Sequence, residues 1–284
     1  MIKRLTIIAV SLAACAAPAD EAASPGESEA PRRIVSLDYC ADQYVLALAG
    51  REDILALSPY AEEDYSYLRE EASGLAKVRP VAEDVLALKP DLIVRSYGGG
   101  PQAAESFEKA GIPVVQIGYA ATLADVPAVL EQASADLQAE EKGAEISRDY
   151  RARLNAIVPQ AKPRTVLYMT SGGVTTGPGT MIDEMFAAAG LVNFETRPGW
   201  HALPLERLAQ EQPDLVASAF YETGTGYMDA WSASGHPVAR RQLRERPVVR
   251  LDSAWTACGG WFLIEAIEAL AEAPDGGAPS GDDA

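Results

Sequence analysis

The chain is expected to fold as an α/β protein, with two Rossmann-like lobes joined by a single long helix and a ligand cleft between the lobes. Three observations carry this expectation. Glu83-Asp84-Val85-Leu86-Ala87-Leu88-Lys89-Pro90-Asp91-Leu92-Ile93-Val94 recurs as Glu206-Arg207-Leu208-Ala209-Gln210-Glu211-Gln212-Pro213-Asp214-Leu215-Val216-Ala217, with Glu seven residues before the proline of Pro-Asp-Leu in both copies. Apolar runs of strand length alternate with amphipathic helical runs, the order that builds a mostly parallel sheet. From 123 to 158 the spacing stays helical, crossed only by Pro127 and Gly143. Two copies are too few for a solenoid, so the repeat points to two related lobes with the ligand in the groove between them.

Along the chain, Arg33-Ile34-Val35-Ser36-Leu37 reads as the first strand and 41–48 as a helix. Ile54-Leu55-Ala56-Leu57 is a second strand, followed by a polar, tyrosine-rich stretch over 58–67. In each repeat copy a short amphipathic helix is stopped by proline, which lacks an N–H and clashes with the preceding turn, and a buried strand follows. A helix over 102–109 and a strand at 113–117 complete the N-terminal lobe, 33–120. The linking helix occupies 121–160. The C-terminal lobe, 161–273, opens on the strand Thr165-Val166-Leu167-Tyr168-Met169 and carries a helix over 181–189, strands at 215–217 and 248–251, and a last helix over 260–273.

The ends speak of location. Met1-Ile2-Lys3-Arg4 is basic and the apolar run 5–12 is too short to span a bilayer, but it has the length of a signal-peptide core. Leu12-Ala13-Ala14-Cys15 has the pattern of a bacterial lipobox, so 1–14 reads as a signal peptide and Cys15 as the lipidated first residue of the mature chain. Several acyl chains on one cysteine hold a protein stably on a membrane where one does not. Residues 15–32 and 274–284 have the Ala, Pro, Ser, Gly and acidic composition of a tether and a disordered tail. The expected location is therefore the periplasm or cell surface. The formal net charge of −17 disfavours nucleic acid and polyanionic ligands.

On the opening strand Arg33-Ile34-Val35-Ser36-Leu37, the block Leu86-Ala87-Leu88-Lys89-Pro90-Asp91-Leu92-Ile93 and its second-lobe counterpart, the chain resembles the helical-backbone class of periplasmic substrate-binding proteins. These deliver cobalamin, ferric siderophores or haem to ABC importers. Within the class it is most similar to the cobalamin-binding branch. The resemblance implies a corrinoid ligand, with a ferric siderophore or haem as the alternative, an ABC permease dimer as partner, and no cofactor, resident metal or catalysis. It carries three aromatic positions over as ligand contacts: Tyr60, Trp200 and Trp255. Aromatic faces suit a wide, mostly apolar ring with a polar rim. The rule that ligands bind at the carboxyl ends of parallel strands adds Asp38-Tyr39, Ser96-Tyr97-Gly98, Tyr119, Ser171-Gly172 and Phe220-Tyr221. The branch has a disulfide inside its second lobe; here Ala187-Ala188-Ala189 stands at the first partner position, so that staple is absent.

The resemblance also implies that Glu83 and Glu206 dock onto arginines of the two permease subunits, one carboxylate per lobe. On sequence alone, a glutamate in a first helical turn needs no partner, because it complements the helix dipole.

Cys40 and Cys258 form an even pair in an oxidising compartment. Both fall where strands meet the cleft, leaving three readings: a disulfide, free cleft thiols, or a contact to a metal in the ligand. A bridge needs Cα atoms within about 7 Å, which a corrin-sized cleft grants only at its edge. His201, beside Trp200, is a candidate axial ligand or a polar wall, and His236 reads as a loop residue. Gly177-Pro178-Gly179 and Gly224-Thr225-Gly226 lack a dinucleotide fingerprint and read as turns. Neither a G-x-S-x-G elbow nor a P-loop occurs. An enzyme using Ser171 with His201 is the reading from a different class.

Overall fold

In the computed structural model, the chain enters its first sheet at β1 (Ile34–Ser36). It continues through α1 (Tyr39–Leu48), β2 (Ile54–Ala56), α2 (Ala82–Ala87), β3 (Leu92–Arg95), α3 (Ala103–Lys109) and β4 (Val114–Gln116). Two helices follow, α4 (Asp125–Asp136) and α5 (Glu140–Ala156). The second half runs β5 (Arg164–Thr170), β6 (Val174–Thr176), α6 (Met181–Ala188), β7 (Leu191–Asn193), β8 (Trp200–Ala202), α7 (Leu205–Gln210) and β9 (Leu215–Ala219). It ends with α8 (Pro237–Glu245), β10 (Val248–Arg250), α9 (Ser253–Thr256) and α10 (Leu263–Ala271). The structure describes residues 32–158, 162–219 and 232–274.

The repeat is a repeat of topology. The first sheet has the order β2-β1-β3-β4 and the second β7-β5-β9-β10, all parallel. Each lobe thus sets its second strand outside its first, and its third and fourth on the other side. Neighbouring side chains on a strand point to opposite faces, and both faces here are covered. Ile34, Leu92 and Val94 enter one apolar cluster, while Val35 and Ile93 enter another. In the second sheet Val166, Tyr168, Leu215 and Ala217 lie on one side, with Leu167, Met169 and Val216 on the other. Strands buried on both faces explain the unbroken apolar runs. The short strands β6 and β8 form a separate antiparallel pair.

The Pro-Asp-Leu of each copy has a structural task. Asp91 N–H donates to the Arg33 carbonyl at 2.9 Å, and the Asp91 carboxylate accepts the Arg33 N–H at 3.1 Å. In the second lobe Asp214 N–H donates to the Thr165 carbonyl at 3.0 Å, and its carboxylate accepts the Thr165 N–H at 2.7 Å. Each aspartate therefore locks the start of the third strand beside the first.

The linker departs from expectation. It is not one helix but an antiparallel pair. Helix α4 ends at Asp136, and Gln138 adopts a left-handed backbone with φ +58°, which turns the chain back into α5. Gly143 does not break α5; a Cβ there would overlap Ser134 on α4, so its absence lets the helices close together. Glu131 on α4 then accepts Ser147 Oγ at 3.0 Å and Arg151 at 2.9 Å from α5. The pair belongs to both lobes, since Val126 and Tyr150 join the second-lobe core while Leu130, Ala133 and Leu137 join the first.

The lobes also meet directly. Tyr44 of α1 packs edge-on against Trp261, with centroids 5.2 Å apart, and Tyr67 stacks on Phe262 at 4.8 Å. Tyr67 also reaches Glu265 at 3.2 Å. Arg153 of α5 holds Glu265 at 2.9 Å and Glu268 at 2.5 Å, tying the linker to α10.

Candidate ligand-binding site

The strand order of the first lobe reverses between β1 and β3, the place where open parallel sheets present loops to ligands. Asp38 sits there, buried, between β1 and α1. One carboxylate oxygen caps α1 by accepting Ala41 N–H at 2.9 Å. The other accepts the amides of Ser96, Tyr97 and Gly98 at 2.8, 3.0 and 2.8 Å. Gly98 is required there, because a side chain would overlap the Leu37 carbonyl. Asp38, expected as a cleft wall, is instead a bracket that holds Tyr39 and Tyr97 side by side.

Tyr39 packs edge-on against Tyr97 at 6.0 Å and Tyr65 at 4.8 Å, and its hydroxyl donates to the Ala257 carbonyl of the second lobe at 3.5 Å. Burial raises the Tyr97 phenol well above its ordinary pKa, and Tyr39 beside it adds to the effect. Even so, Tyr97 is 54% exposed and Tyr119 83%, large aromatic surfaces facing water at one junction.

A second buried carboxylate sets Tyr60. Asp42 on α1 accepts Ser58 N–H at 3.1 Å and Ser58 Oγ at 2.6 Å, and Ser58 Oγ accepts the Tyr60 N–H at 3.2 Å. Burial pushes Asp42 up to about 6 against the lowering effect of these hydrogen bonds. Gln43 fixes the rest of the tyrosine-rich loop, donating to Ser66 Oγ at 2.8 Å and accepting Leu68 N–H at 2.7 Å. Sequence reasoning missed Tyr65, Tyr67 and Gln43. The density of tyrosines after the second strand was the available signal.

On the facing side, Asp252 caps α9 through Ala254 N–H at 2.8 Å. The chain then delivers Ala257, Cys258 and Gly259 to the junction. Cys40 and Cys258 are bridged, with Cα atoms 5.7 Å apart, so of the three readings the structure contains the disulfide. The bridge, Tyr39, Ser96, Tyr97, Tyr119, Ala257 and Gly259 line a cavity of about 220 Å³ with no charged side chain among the described residues of its wall. That volume is below the range of about 300–1,000 Å³ usual for small-molecule sites, so this cavity alone would hold only part of a ligand of that size.

The expected aromatics divide. Tyr39 and Tyr97 line the cavity; Tyr60, Trp200 and Trp255 do not. Tyr60 is 50% exposed and Trp200 57%. Trp200, on the separate β6–β8 pair, packs edge-on against Tyr168 at 5.9 Å. Trp255 lies against the second-lobe core, two residues before Ala257. Tyr221, Phe220, the lipobox Cys15 and Gly224-Thr225-Gly226 lie outside the described residues.

The cations and imidazoles near the strand ends are already engaged. Arg95 is buried and donates to the carbonyls of Gly98 at 2.8 Å and Gly100 at 3.0 Å. Arg197 pairs with Glu195 at 2.7 Å, which holds that carboxyl down at about 2. His201 Nε2 donates to the Pro198 carbonyl at 2.8 Å. His236 lies in the connection before α8, as expected, and there serves as the helix N-cap, its Nδ1 accepting Val238 N–H at 3.2 Å. Among the described residues, no group of three or more His, Cys, Asp or Glu side chains is placed to hold a metal ion.

Glu83 and Glu206 occupy the same place in the two lobes. Each is exposed in the first turn of the six-residue helix that precedes the third strand. A groove of about 600 Å³ lined by Arg197, His201 and Arg207 runs beside Glu206.

The periplasmic binding protein family profile matches residues 34–226, spanning both third strands and the helical pair between the lobes. The chain belongs to the periplasmic binding protein family. An uncharacterized ABC transporter substrate-binding lipoprotein of Bacillus subtilis is 24% identical, covering 94% of this chain and 94% of its own. The vitamin B12-binding protein of Vibrio cholerae is 24% identical over 81% of this chain and 82% of its own. Among solved structures, a periplasmic heme binding protein from Pseudomonas aeruginosa superposes with TM-score 0.67 at 23% identity, covering 88% of this chain and 96% of that one. At that identity the likeness is one of fold.

Proposed function

We propose that this periplasmic binding protein is the lipid-anchored receptor of an ABC importer, and that it captures a corrinoid between its lobes. The observation that carries the ligand is the commitment of the cations. An anionic chelate or a haem propionate calls for an arginine free to pair with it. Arg95 spends its donors on Gly98 and Gly100, and Arg197 is held by Glu195. What remains is tyrosine, serine and uncharged backbone, suited to a broad apolar ring with an amide rim. The likeness to vitamin B12-binding proteins supports the same reading.

An iron chelate or haem is the second reading, favoured by the phenol oxygens of Tyr39, Tyr97 and Tyr119 around one cavity, since tyrosine is one of the side chains that ligate haem iron. The engagement of Arg95 and Arg197 opposes it, since neither is free to pair with a propionate. Lipidation at Cys15 and docking through Glu83 and Glu206 complete the proposal. No chemistry is assigned to the protein, and the bound compound leaves unaltered.

The test is a binding panel read by intrinsic fluorescence: cyanocobalamin, a neutral ferric hydroxamate, an anionic ferric catecholate and haem. The reading predicts saturable quenching by cyanocobalamin, little changed between low and high salt, and recovery of the compound intact. Binding of the anionic chelate alone would overturn it, and turnover of any ligand would overturn the receptor assignment.

A further inference from the structure

We propose that the Cys40–Cys258 bridge is a positioning pair that fixes the aperture of the ligand cleft. This rests on the reading that the ligand lies at the lobe junction. Cys40 is the second residue of α1, immediately after Tyr39. Cys258 follows Ala257, whose carbonyl accepts the Tyr39 hydroxyl. The covalent bond therefore joins the two lobes at the residues that form the cavity floor, not in a remote part of either core.

Its surroundings distribute the restraint. Asp38 ties the turn that carries Tyr39 and Cys40 to the loop that carries Tyr97. On the other side, Tyr44–Trp261 and Tyr67–Phe262 hold α1 and the tyrosine-rich loop against the start of α10. One of those pairs adjoins the bridge itself, since Tyr44 lines the same cavity, but neither is covalent. With the bridge intact the lobes cannot part at the floor, so Tyr39 and Tyr97 face Ala257–Gly259 at a fixed separation before ligand arrives. A site held in its binding geometry avoids the ordering cost of closure, and the gain falls mainly on the dissociation rate. Without the bridge the floor opens, and Tyr39 and Tyr97 lose their opposite wall.

Two preparations test this: C40S/C258S, and the wild-type protein reduced with a dithiol, freed of it under anaerobic conditions, then reoxidised. Hydrogen exchange without ligand reads the floor, comparing 95–98, 117–120 and 253–262 with the strands β3 and β9. Stopped-flow release of cyanocobalamin reads function, with haem as the probe if cyanocobalamin does not bind. The proposal expects exchange at the floor to quicken by about tenfold or more while β3 and β9 keep their protection, and ligand release to quicken by about tenfold. Reoxidation should restore both. Unchanged floor exchange in a bridge-free protein that keeps its strand protection would overturn the clamp. Unchanged release with altered exchange would overturn the positioning role. Silence with cyanocobalamin would count against the corrinoid only, because the exchange arm needs no ligand. A merely stabilising bridge would lower the melting temperature and leave release from folded protein unmoved.

Discussion

The Asp38 carboxylate accepts the Tyr97 amide at 3.0 Å across 59 positions of sequence. Through that contact the cap of the first helix also brackets the wall of the candidate site. The same oxygen takes Ser96 and Gly98, and its twin takes Ala41. Asp38→Ala strands these amides in a largely buried place, and a buried donor left unsatisfied costs about 1–3 kcal/mol. We expect urea denaturation to show a loss of at least about 2 kcal/mol. Tyr97, no longer held, should bind ligand more weakly even under conditions where the variant is folded.

Asp42 gives a pH dependence whose sign is opposite to that of an ordinary carboxylate. Its pKa rises from 3.8 to about 6 in the folded protein, chiefly through burial. Between those values the folded state binds more protons than the unfolded one, so stability falls as pH rises through this window. The full penalty, on the order of 3 kcal/mol, applies above about 6. Asp42→Asn should flatten this part of the stability profile, measured by denaturation between about pH 4 and 7. A difference profile, wild type minus Asp42→Asn, that rises with pH across the same window would contradict it.

The Cys40–Cys258 bridge closes a loop with a sequence separation of 218. In the chain-entropy account a loop of that length stabilises by up to about 5 kcal/mol. Calorimetric melting of C40S/C258S should therefore show a marked fall in transition temperature. A fall no larger than that of a surface substitution would mean the remaining lobe contacts already supply the constraint.

Glu83 and Glu206 are exposed at matching positions, as two docking carboxylates should be. Glu83→Ala combined with Glu206→Ala is expected to abolish uptake in cells and stimulation of the importer, with ligand affinity unchanged within about twofold. Loss of ligand binding itself would place these residues in the site and end the docking assignment.

Much of this was legible in the residues, for identifiable reasons. The repeated Pro-Asp-Leu foretold two like-ordered sheets because the aspartate does the same work in both, clamping the first strand at Arg33 and at Thr165. Tyr39 and Tyr97 were found by the strand-end rule because β1 and β3 flank the topological switch point. Trp200, which the resemblance and not the rule brought in, lies on β8, whose partner is β6, apart from the parallel sheet. The turn at Gln138 carries no local signal, since neither glycine nor proline marks the left-handed residue. Tyr65 and Tyr67 are placed by Gln43 from another element, a long-range contact with no local pattern. His236 reads correctly as a non-helical residue, while its capping role is hidden because helix caps and turns draw on the same residue types.

Titrating wild-type protein and Tyr97→Ala with cyanocobalamin by calorimetry decides whether the proposed corrinoid site lies against the Tyr39–Tyr97 wall. One-to-one binding to wild type is expected, with a loss of about tenfold or more in the variant, the weight of one well-placed aromatic wall. Equal affinity in the two proteins, or no heat with either while an iron chelate binds both, would contradict it.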